Sequence, residues 1–370
     1  MSTRAGHIAL VGRPNVGKST LLNALIGEKL SIVTARAQTT RDAVTGILTT
    51  ADAQLIFVDT PGLLEPQYTL HRSMQETAIA VLKDADLALL LLDAMRPEEV
   101  PRGEALEVLR AKRDALMVVI NKSDAGTPAA TAALEEWSER ELGLPARRIS
   151  ALTGSGLEEL RALLPAALPV SPFFYPEDEL AIQPVRFFVA ELVRETVFEQ
   201  YAEEVPYATV VRIEEYRESG DPVYIRATVY VERDSQKAII LGRAGAGIRE
   251  LGARAREKIE RFIGARVYLD LWVKALPGWR RKAETLRYLG YRVPHDLGEP
   301  EATTAARAEP AGASERRPDA PRSGGTARKR RKGGPGGPRG KSGPGGPRKD
   351  ERGSERPRAE KRGRGPRKES

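Results

Sequence analysis

Cysteine is absent from this 370-residue sequence, histidine occurs three times, and aromatic residues make up 5%. The lack of cysteine excludes disulfides and thiolate metal sites, and it is typical of proteins from a reducing cytosol. Three scattered histidines are too few for a histidine-based metal cluster. The longest apolar run, 87–92, is far too short to span a bilayer, and the N-terminus has no signal-peptide pattern. These absences predict a soluble intracellular protein.

The net positive charge of the chain is concentrated at its C-terminal end. Residues 301–370 contain 21 Lys or Arg and 9 Asp or Glu, whereas the first 300 residues contain 38 basic and 42 acidic residues. The tail, 299–370, has almost no apolar residues beyond alanine, so we expect it to be disordered. Its basic blocks, such as 328–332, would add salt-dependent affinity for RNA phosphates. The alternative is a solubilising extension without a partner.

Strand and helix patterns alternate over residues 1–168, which predicts an α/β domain with a doubly wound, mainly parallel sheet. The predicted strands cover 8–11, 43–50, 54–58, 87–92, 116–120 and a short segment ending at 149. The predicted helices cover 18–26, 70–83, 102–112, 129–141 and 157–168. A proline-rich segment without periodicity, 169–184, is the predicted linker to a second domain.

A phosphate-binding pattern lies between the first predicted strand and the first predicted helix. It fits G-x-x-x-x-G-K-[ST], in which backbone N–H groups and a helix N-terminus surround a phosphate. Lys18 would reach the outer phosphates, and the Ser19 hydroxyl would bind Mg²⁺. The predicted nucleotide-binding residues of this loop are Gly12, Arg13, Pro14, Asn15, Val16, Gly17, Lys18 and Ser19.

Three further motifs follow later strands, at the strand ends where ligands bind in such sheets. In Asp59-Thr60-Pro61-Gly62 the carboxylate can hold Mg²⁺ through water, and the Gly62 amide can contact a γ-phosphate. In Asn121-Lys122-Ser123-Asp124 a carboxylate can accept from both N1–H and the exocyclic amine of guanine, which adenine cannot offer. Ser150-Ala151-Leu152 would place a backbone amide near the guanine oxygen. Together they predict a guanine nucleotide.

In this chain order the motifs resemble those of translation-factor-type GTPases. Ras-like enzymes position the attacking water with a Gln after D-x-x-G, but Leu63 stands there and cannot hydrogen-bond water; we also count it among the nucleotide-binding residues. In potassium-activated members of this class, an Asn at the position of Asn15 holds K⁺ beside the phosphates. We therefore hypothesise that Asn15 helps to bind K⁺, which supplies transition-state charge. The alternative is that Asn15 only shapes the loop.

A polar, turn-rich segment between Leu30 and Asp42 lies where such GTPases carry switch I. A threonine hydroxyl there would bind Mg²⁺ and order the segment only with GTP. Thr39 and Thr40 both fit, and the resemblance favours Thr40. Switch II would begin at 63–69. The predicted catalytic residues are Asn15, Lys18, Thr40 and Gly62, and the predicted metal ligands are Ser19, Thr40 and Asp59.

The pattern changes over residues 185–292. Helix 185–201 is followed by strands 209–216 and 223–232, helix 235–241, a G-x-x-G loop, an amphipathic helix and a last strand at 266–273. This order resembles a type II KH domain, whose G-x-x-G loop clamps the backbone of single-stranded nucleotides. The alternative is a solvated helical face with i,i+4 ion pairs. The predicted RNA-binding residues are Lys237, Gly242, Arg243, Ala244, Gly245, Ile248 and Arg249.

Over roughly residues 5–292, the sequence resembles the Era family of bacterial GTPases, which carry a C-terminal type II KH domain. The matching stretches are GRPNVGKSTLLN, QTTR, DTPG, NKSD, L-G-x-x-G-x-x-I-x-x-L-G-x-x-A-R and LWVK. One departure is a G-x-x-G loop with Arg243 but no lysine. The resemblance implies slow GTP hydrolysis with Mg²⁺, a monomer in the cytoplasm, binding to the 3′ end of 16S rRNA, and a role in maturation of the 30S subunit. It also implies peripheral association with the inner membrane, which nothing in the sequence supports independently.

Two other functions stay open from the sequence. One is an RNA-binding chaperone in which the nucleotide is a sensing ligand with negligible turnover, since Leu63 replaces the usual glutamine. The other is a membrane-linked cell-cycle GTPase switch that needs no RNA.

Overall fold

The computed structural model describes residues 2–34, 36, 39–63 and 66–293. Gln38 of the predicted switch I segment, residues 64 and 65 of predicted switch II, and the tail 299–370 lie outside the described residues. Within the described part, no helix combines the length and the apolar character needed to cross a membrane.

Six strands in the N-terminal half form one sheet. They are β1 (Arg4–Gly12), β2 (Val44–Thr49), β3 (Ala53–Asp59), β4 (Leu87–Asp93), β5 (Leu116–Asn121) and β6 (Ala146–Arg148). The strand order is β2-β3-β1-β4-β5-β6, and every neighbouring pair is parallel except β2 with β3. A short connection joins β2 to β3, and such a connection allows an antiparallel hairpin but no parallel crossover. The prediction of a mainly parallel α/β sheet is confirmed.

Helices cover both faces of this sheet. They are α1 (Lys18–Ile26), α2 (Thr69–Asp84), α3 (Glu104–Ala111), α4 (Pro128–Leu142) and α5 (Leu157–Leu163). Alternating residues of β1 point to opposite faces: Ile8 packs in the cluster that includes residues of α1 and α5, and Ala9 packs in the cluster with α3 and α4. Both residues are fully buried, so the sheet is the middle layer of three.

The fifth predicted helix is too long by about a turn. The α-helix ends at Leu163, and a 3₁₀ turn occupies Leu164–Ala167. Pro165 lacks the N–H that an α-helix needs, and its ring would clash with the preceding turn. The apolar residues of this segment are still buried, because Leu164 and Leu168 pack in the same cluster as Leu160. Burial periodicity alone therefore could not locate the end of the helix.

The predicted linker lies along the edge strand β2. The Ile47 N–H donates to the Leu180 carbonyl at 2.9 Å. The Gln183 side chain accepts from the Thr45 N–H at 3.2 Å and donates to the Ala43 carbonyl at 3.1 Å. The linker thus supplies hydrogen bonds to strand β2 where no further strand does.

The C-terminal half has its own sheet and core. Its elements are α6 (Val185–Gln200), β7 (Val210–Arg217), β8 (Val223–Val231), α7 (Asp234–Leu241), α8 (Ala246–Ile263), β9 (Val267–Ala275) and α9 (Ala283–Tyr288). Strand β8 pairs antiparallel with β7 and parallel with β9. Helices α6 and α8 pack together, with Val189, Val193, Leu251 and Ala255 fully buried. This is the element order predicted for a type II KH domain. Helix α9 was not predicted, because six residues are too few to show a helical period.

The two halves share a small apolar cluster. Leu70 and Met74 of α2 pack with Trp279, Leu286 and Tyr291 from the C-terminal half. Trp279 is fully buried. The helix that begins at the end of predicted switch II is therefore in direct contact with the C-terminal half.

Candidate functional site

A cavity of about 320 Å³ opens beside the loop between β1 and α1. It is lined by Pro14, Asn15, Gly17, Lys18, Ser19, Thr20, Ile32, Val33, Thr34, Thr39, Thr40, Gly62, Arg96 and Lys122. The phosphate-binding loop, residues from both halves of the predicted switch I segment and the end of the D-x-x-G motif therefore meet at one place. A concave, partly polar pocket of this kind is the expected form of a small-ligand site.

Close backbone approach explains why glycine occupies three positions of the site. Gly17 has φ 99°, and a Cβ there would lie 2.2 Å from the Asn121 Nδ2 atom. A Cβ on Gly62 would lie 2.5 Å from the Pro14 backbone nitrogen. Gly12 has φ 150° and abuts the Leu91 carbonyl. Glycine therefore allows four segments that are distant in sequence to converge around the cavity.

Lys18 is buried at the base of the cavity. Its Nζ donates to the Gly12 carbonyl at 3.2 Å and to the Arg13 carbonyl at 3.0 Å. Burial lowers the pKa of Lys18 to about 8, and the charge of Asp59 opposes this shift. A phosphate in the cavity would favour the charged ammonium, so the geometry suits the role predicted for Lys18.

Three oxygen atoms converge beside Lys18. Ser19 Oγ donates to Asp59 Oδ2 at 2.6 Å, and it lies 2.9 Å from Thr40 Oγ1. Thr40 Oγ1 is 3.3 Å from the same carboxylate oxygen. The second carboxylate oxygen, Asp59 Oδ1, is buried without a hydrogen-bond partner. An unsatisfied buried carboxylate oxygen beside two hydroxyls is a fitting environment for a hard cation.

This set of oxygen donors suits Mg²⁺, a hard cation. Mg²⁺ is commonly bound by one or two protein carboxylates with waters and substrate phosphates completing its shell. Among the described residues, no group of three or more His, Cys, Asp or Glu side chains could hold a metal by itself. A cation here would therefore depend on the phosphates of a ligand in the adjoining cavity.

Thr39 and Thr40 lie in different environments in this structure. The hydroxyl of Thr40 faces Ser19 and Asp59, as described above. The backbone carbonyl of Thr39 instead accepts a hydrogen bond from Arg194 of helix α6. The geometry thus favours Thr40, the residue preferred from the sequence, as the cation ligand.

Leu63 does not line the nucleotide cavity. It is 8% exposed, and its N–H donates to the Gly12 carbonyl at 2.9 Å. Its side chain borders a different cavity, between α2 and α3, together with Ile79 and Val100. The residue at the position of the Ras-type glutamine therefore supports the loop through its backbone.

Asn15 lines the nucleotide cavity from the tip of the phosphate loop. Its φ of 64° lies in the left-handed region, which asparagine tolerates better than most residues. This conformation agrees with a loop-shaping role, and the position beside the cavity agrees with cation binding. Both hypotheses for Asn15 therefore stand.

Asn121 ties the base-recognition motifs to the phosphate loop. Its Nδ2 donates to the Val16 carbonyl at 2.8 Å, and its Oδ1 accepts from the Ala151 N–H at 2.9 Å. The Ser123 N–H donates to the Ile149 carbonyl at 3.1 Å. Asn121 is buried, and these hydrogen bonds hold the phosphate loop and the Ser150-Ala151-Leu152 segment in position.

The remaining members of these motifs differ in how far their side chains are exposed. Lys122 lines the cavity, and its Nζ forms an ion pair with Asp93 at 2.6 Å. Asp124 is exposed, which leaves its carboxylate accessible to a ligand. Ser150 is fully buried and caps the turn by accepting from the Thr153 N–H at 3.1 Å, while Leu152 is 81% exposed. Thr60 is buried, and its hydroxyl donates to the Leu10 carbonyl at 2.8 Å.

Five residues that line the cavity were not predicted as site residues: Thr20, Ile32, Val33, Thr34 and Arg96. Ile32, Val33 and Thr34 precede the predicted switch threonines and carry no motif. Arg96 follows β4, and its position just after the end of a parallel strand was the one signal that could have indicated it. Arg96 lies 3.4 Å from the Glu99 carboxylate, and this ion pair partly neutralises the positive charge beside the cavity.

The G-x-x-G loop joins α7 to α8 through a turn that needs glycine. Gly242 has φ 67°, and a Cβ there would lie 2.7 Å from the Gly247 backbone nitrogen. Gly245 has φ 76° and precedes the first residue of α8. Arg243 and Ala244 at the tip are exposed. The loop therefore presents an open backbone at the N-terminal end of an 18-residue helix, a favourable place for a phosphate.

The other predicted RNA-binding residues differ in how open they are. Arg249 is exposed, and its guanidinium donates to the Ala244 carbonyl at 3.0 Å, so in this structure it braces the loop. Ile248 is half-buried against the core of the C-terminal half, and Lys237 is half-buried on α7. Arg254 forms the kind of i,i+4 ion pair expected of a solvated helical face, with Glu250 at 2.8 Å.

Comparison with known proteins matches both halves to families. Residues 7–122 match the family described as 50S ribosome-binding GTPase, and residues 204–280 match the KH domain family. A crystal structure of a variant of Aquifex aeolicus Era bound to GDP and AlF₄⁻ has 38% sequence identity and a TM-score of 0.73. A crystal structure of Era with MgGDPNP and nucleotides 1506–1542 of 16S ribosomal RNA has 39% identity and a TM-score of 0.72. Each match covers 79% of this chain and 100% of the other.

Proposed function

Because the chain belongs to the Era family of GTPases, we propose that it binds and hydrolyses GTP with Mg²⁺ and binds the 3′ end of 16S ribosomal RNA through its KH domain. Its task would be to assist maturation of the 30S subunit. The observation that carries the proposal is the convergence of Ser19, Thr40 and Asp59 beside Lys18. It supplies a cation site next to a phosphate cradle.

The chain's own residues divide the work of nucleotide binding. The backbone of the Gly12–Ser19 loop and Lys18 would bind the phosphates, and Asp124 would select guanine. Mg²⁺, held through Ser19, Thr40 and Asp59, would neutralise charge on the phosphates. The Gly62 amide would contact the γ-phosphate, since Gly62 lines the cavity.

Hydrolysis would proceed without a water-positioning side chain at position 63. Leu63 is buried in another cavity wall, so we expect a slow intrinsic rate. Under the potassium hypothesis, Asn15 would hold K⁺ against the phosphates, and its place in the lining of the cavity supports this role.

The RNA partner is proposed from the KH fold and from the relative that carries rRNA. The structurally similar Era complex contains nucleotides 1506–1542 of 16S rRNA, and this chain presents an exposed G-x-x-G loop. Gly242 and Gly245 would let the RNA backbone approach, and Arg243 would supply charge. Lys237, Ile248 and Arg249 complete the proposed surface.

The proposed division of the chain follows from these roles. Residues 1–168 would form the GTPase domain, 169–184 the linker, 185–292 the KH domain and 299–370 a basic tail that tethers RNA. We propose a monomer, located in the cytoplasm with its ribosomal partner. Peripheral membrane association is an implication of family resemblance alone. Deleting 301–370 should lower RNA affinity and flatten its dependence on salt, and an unchanged salt slope would show that the tail is idle.

Single-turnover hydrolysis of GTP, with and without an RNA that covers nucleotides 1506–1542 of 16S rRNA, tests the proposal. We expect measurable hydrolysis that RNA accelerates. Saturable binding of both ligands with no turnover in either condition would instead support the second candidate, a nucleotide-sensing RNA chaperone, which the buried Leu63 favours. A failure to bind guanine nucleotide at all would refute both.

A further inference from the structure

Arg41 connects the nucleotide site to the KH half. It directly follows Thr40, yet its side chain leaves the cavity and is 5% exposed. Its guanidinium donates to three backbone carbonyls that precede β7: those of Thr209 at 2.6 Å, Tyr207 at 2.9 Å and Pro206 at 3.3 Å. A predicted switch residue is therefore anchored by a segment more than 160 positions away in the chain.

The segment 206–209, whose carbonyls accept from Arg41, is itself held in place by further contacts. The Trp279 ring lies 5.6 Å from the guanidinium carbon, and Trp279 Nε1 donates to the Ala208 carbonyl at 2.9 Å. The Thr209 hydroxyl donates to the Val205 carbonyl at 2.7 Å. These contacts orient the carbonyls that accept from Arg41. A planar fork of five N–H donors suits several carbonyls and an aromatic face at once, whereas a lysine ammonium does not.

A second arginine holds the other side of Thr40. Arg194 of α6 is 2% exposed in its side chain, pairs with Glu191 and donates to the Thr39 carbonyl. Thr39 and Arg41 are thus both anchored to the KH half, while Thr40 between them faces Ser19 and Asp59. The position of the Thr40 hydroxyl depends on contacts from both directions.

The chemistry of these contacts argues against simple packing. Arg41 is buried and donates to backbone carbonyls, and the neighbouring Asp42 carboxylate interacts with its charge but forms no direct ion pair with it. Burying a charge without a directly paired carboxylate is costly. An apolar side chain would fill the same space at lower cost. The directed hydrogen bonds of an arginine, in contrast, fix its backbone position relative to a distant segment.

We propose that Arg41 is a positioning residue through which the KH half completes the Mg²⁺ site. When the carbonyls of residues 206–209 hold Arg41, Thr40 is presented to the cation; when they release it, Thr40 is free to leave. The inference rests on the proposed function, because it concerns regulation of that same site. Linkage then requires the reverse effect: a bound GTP–Mg²⁺ pair favours the arrangement in which the KH half clasps Arg41.

This arrangement should discriminate between nucleotides. A switch I threonine binds the cation and γ-phosphate in the triphosphate state and is released after hydrolysis. Loss of Arg41 should therefore weaken GTP binding and leave GDP binding nearly unchanged. It should also reduce the effect of nucleotide on RNA affinity, since the same contact links the two sites.

The test compares Arg41→Met, which keeps the stem but removes the donors, with Arg41→Lys, which keeps the charge but loses the fork. Arg147→Met, at an exposed position on β6, is the matched control. Affinities for a non-hydrolysable GTP analogue and for GDP are measured by titration at high and low Mg²⁺ in the full-length protein. RNA affinity is then measured with each nucleotide bound.

We expect Arg41→Met to lower the ratio of GTP-analogue to GDP affinity by roughly 5- to 150-fold, the usual range of coupling between sites. The loss should be largest at high Mg²⁺, Arg41→Lys should restore only part of it, and Arg147→Met should match the wild type. Equal losses for both nucleotides, or none, would overturn the proposal. A thermal melt of each variant identifies unfolding, and Arg194→Met then gives a second route to the same predicted ratio. If the wild type binds and hydrolyses GTP but Arg41→Met and Arg194→Met both leave the affinity ratio unchanged, the role proposed for Arg41 is wrong and the proposed function stands. If the wild type binds no GTP, the proposed function itself fails.

Discussion

Gly17 and Asn121 touch so closely that a Cβ on the glycine would lie 2.2 Å from the asparagine amide nitrogen. The same amide donates to the Val16 carbonyl at 2.8 Å. The segment that would recognise the base is therefore bonded directly to the loop that would hold the phosphates. A ligand that spans both would meet a pre-organised site, and little ordering would be needed when it binds.

Changing Asp124 to Asn should alter base specificity. The carboxylate would accept from two donors on guanine, and an amide would place its own donor against one of them. We expect GTP affinity to fall roughly 10- to 100-fold, because a charged hydrogen bond is lost and a donor is left unpaired. Xanthosine triphosphate, which carries an oxygen in place of the exocyclic amine, should gain affinity. Competition titrations with the two nucleotides measure the exchange, and a parallel loss for both would contradict the assigned role.

Potassium should accelerate GTP hydrolysis if Asn15 helps to bind it. In single-turnover assays we expect the rate in Na⁺ to be lower than in K⁺ by about tenfold or more, since loss of one electrostatic contact to the transition state commonly costs 10²–10³. The variant Asn15→Ala should be slow in both salts, with GDP affinity retained. Equal wild-type rates in the two salts would leave Asn15 with a loop-shaping role only.

Placing a carboxylate in the G-x-x-G loop should weaken RNA binding without affecting nucleotide binding. Gly242→Asp and Gly245→Asp would put a negative charge against the RNA backbone at positions with φ of 67° and 76°. We expect RNA affinity to fall tenfold or more, because like charges in contact cost several kcal/mol. Ala132→Asp, at an exposed site on α4, adds the same charge elsewhere and should bind RNA normally. Unchanged RNA binding in the loop variants would favour a switch that needs no RNA.

The protein should lose stability in acid partly through His71. Burial and the nearby charges of Arg280 and Arg41 lower the pKa of His71 to about 4. Folding therefore favours the neutral imidazole, and this contribution is present above the unfolded pKa of about 6.5 and is lost as pH falls toward 4. Between about pH 7.5 and 4.5 we expect the wild type to lose about 2 to 3 kcal/mol more unfolding free energy than His71→Asn, measured by urea denaturation. Equal losses would show that His71 does not titrate in this range.

Sequence patterns predicted the local elements around the site well. The bounds of α1 agree with the prediction at both ends, because the phosphate-loop motif requires a strand before it and a helix after it. The end of α5 was wrong, since its apolar residues stay buried through Pro165 in a non-helical turn. A periodic apolar pattern indicates which residues are buried. It indicates a helix only where the buried residues are also helical.

Contacts between distant segments were beyond the reach of sequence. Thr39 and Thr40 are chemically identical neighbours, and only tertiary contacts distinguish them: Arg194 donates to the Thr39 carbonyl, whereas the Thr40 hydroxyl contacts Ser19 and Asp59. Arg41 stood in a motif as a charged residue in a polar loop, with no sign that its partners would be carbonyls at 206–209. Such contacts depend on how the two domains pack, which a local sequence pattern does not indicate.

The linker that lies along β2 has a consequence for assembly. An unpaired edge strand is a template for other strands, and uncovered edges promote sheet-to-sheet aggregation. Here the Leu180 carbonyl and the Gln183 side chain occupy hydrogen-bonding groups of Ala43, Thr45 and Ile47. The connection between the domains thus also protects the edge of the GTPase sheet. Shortening this linker, or replacing it with a Gly-Ser sequence, should expose strand β2 and make the protein prone to self-association.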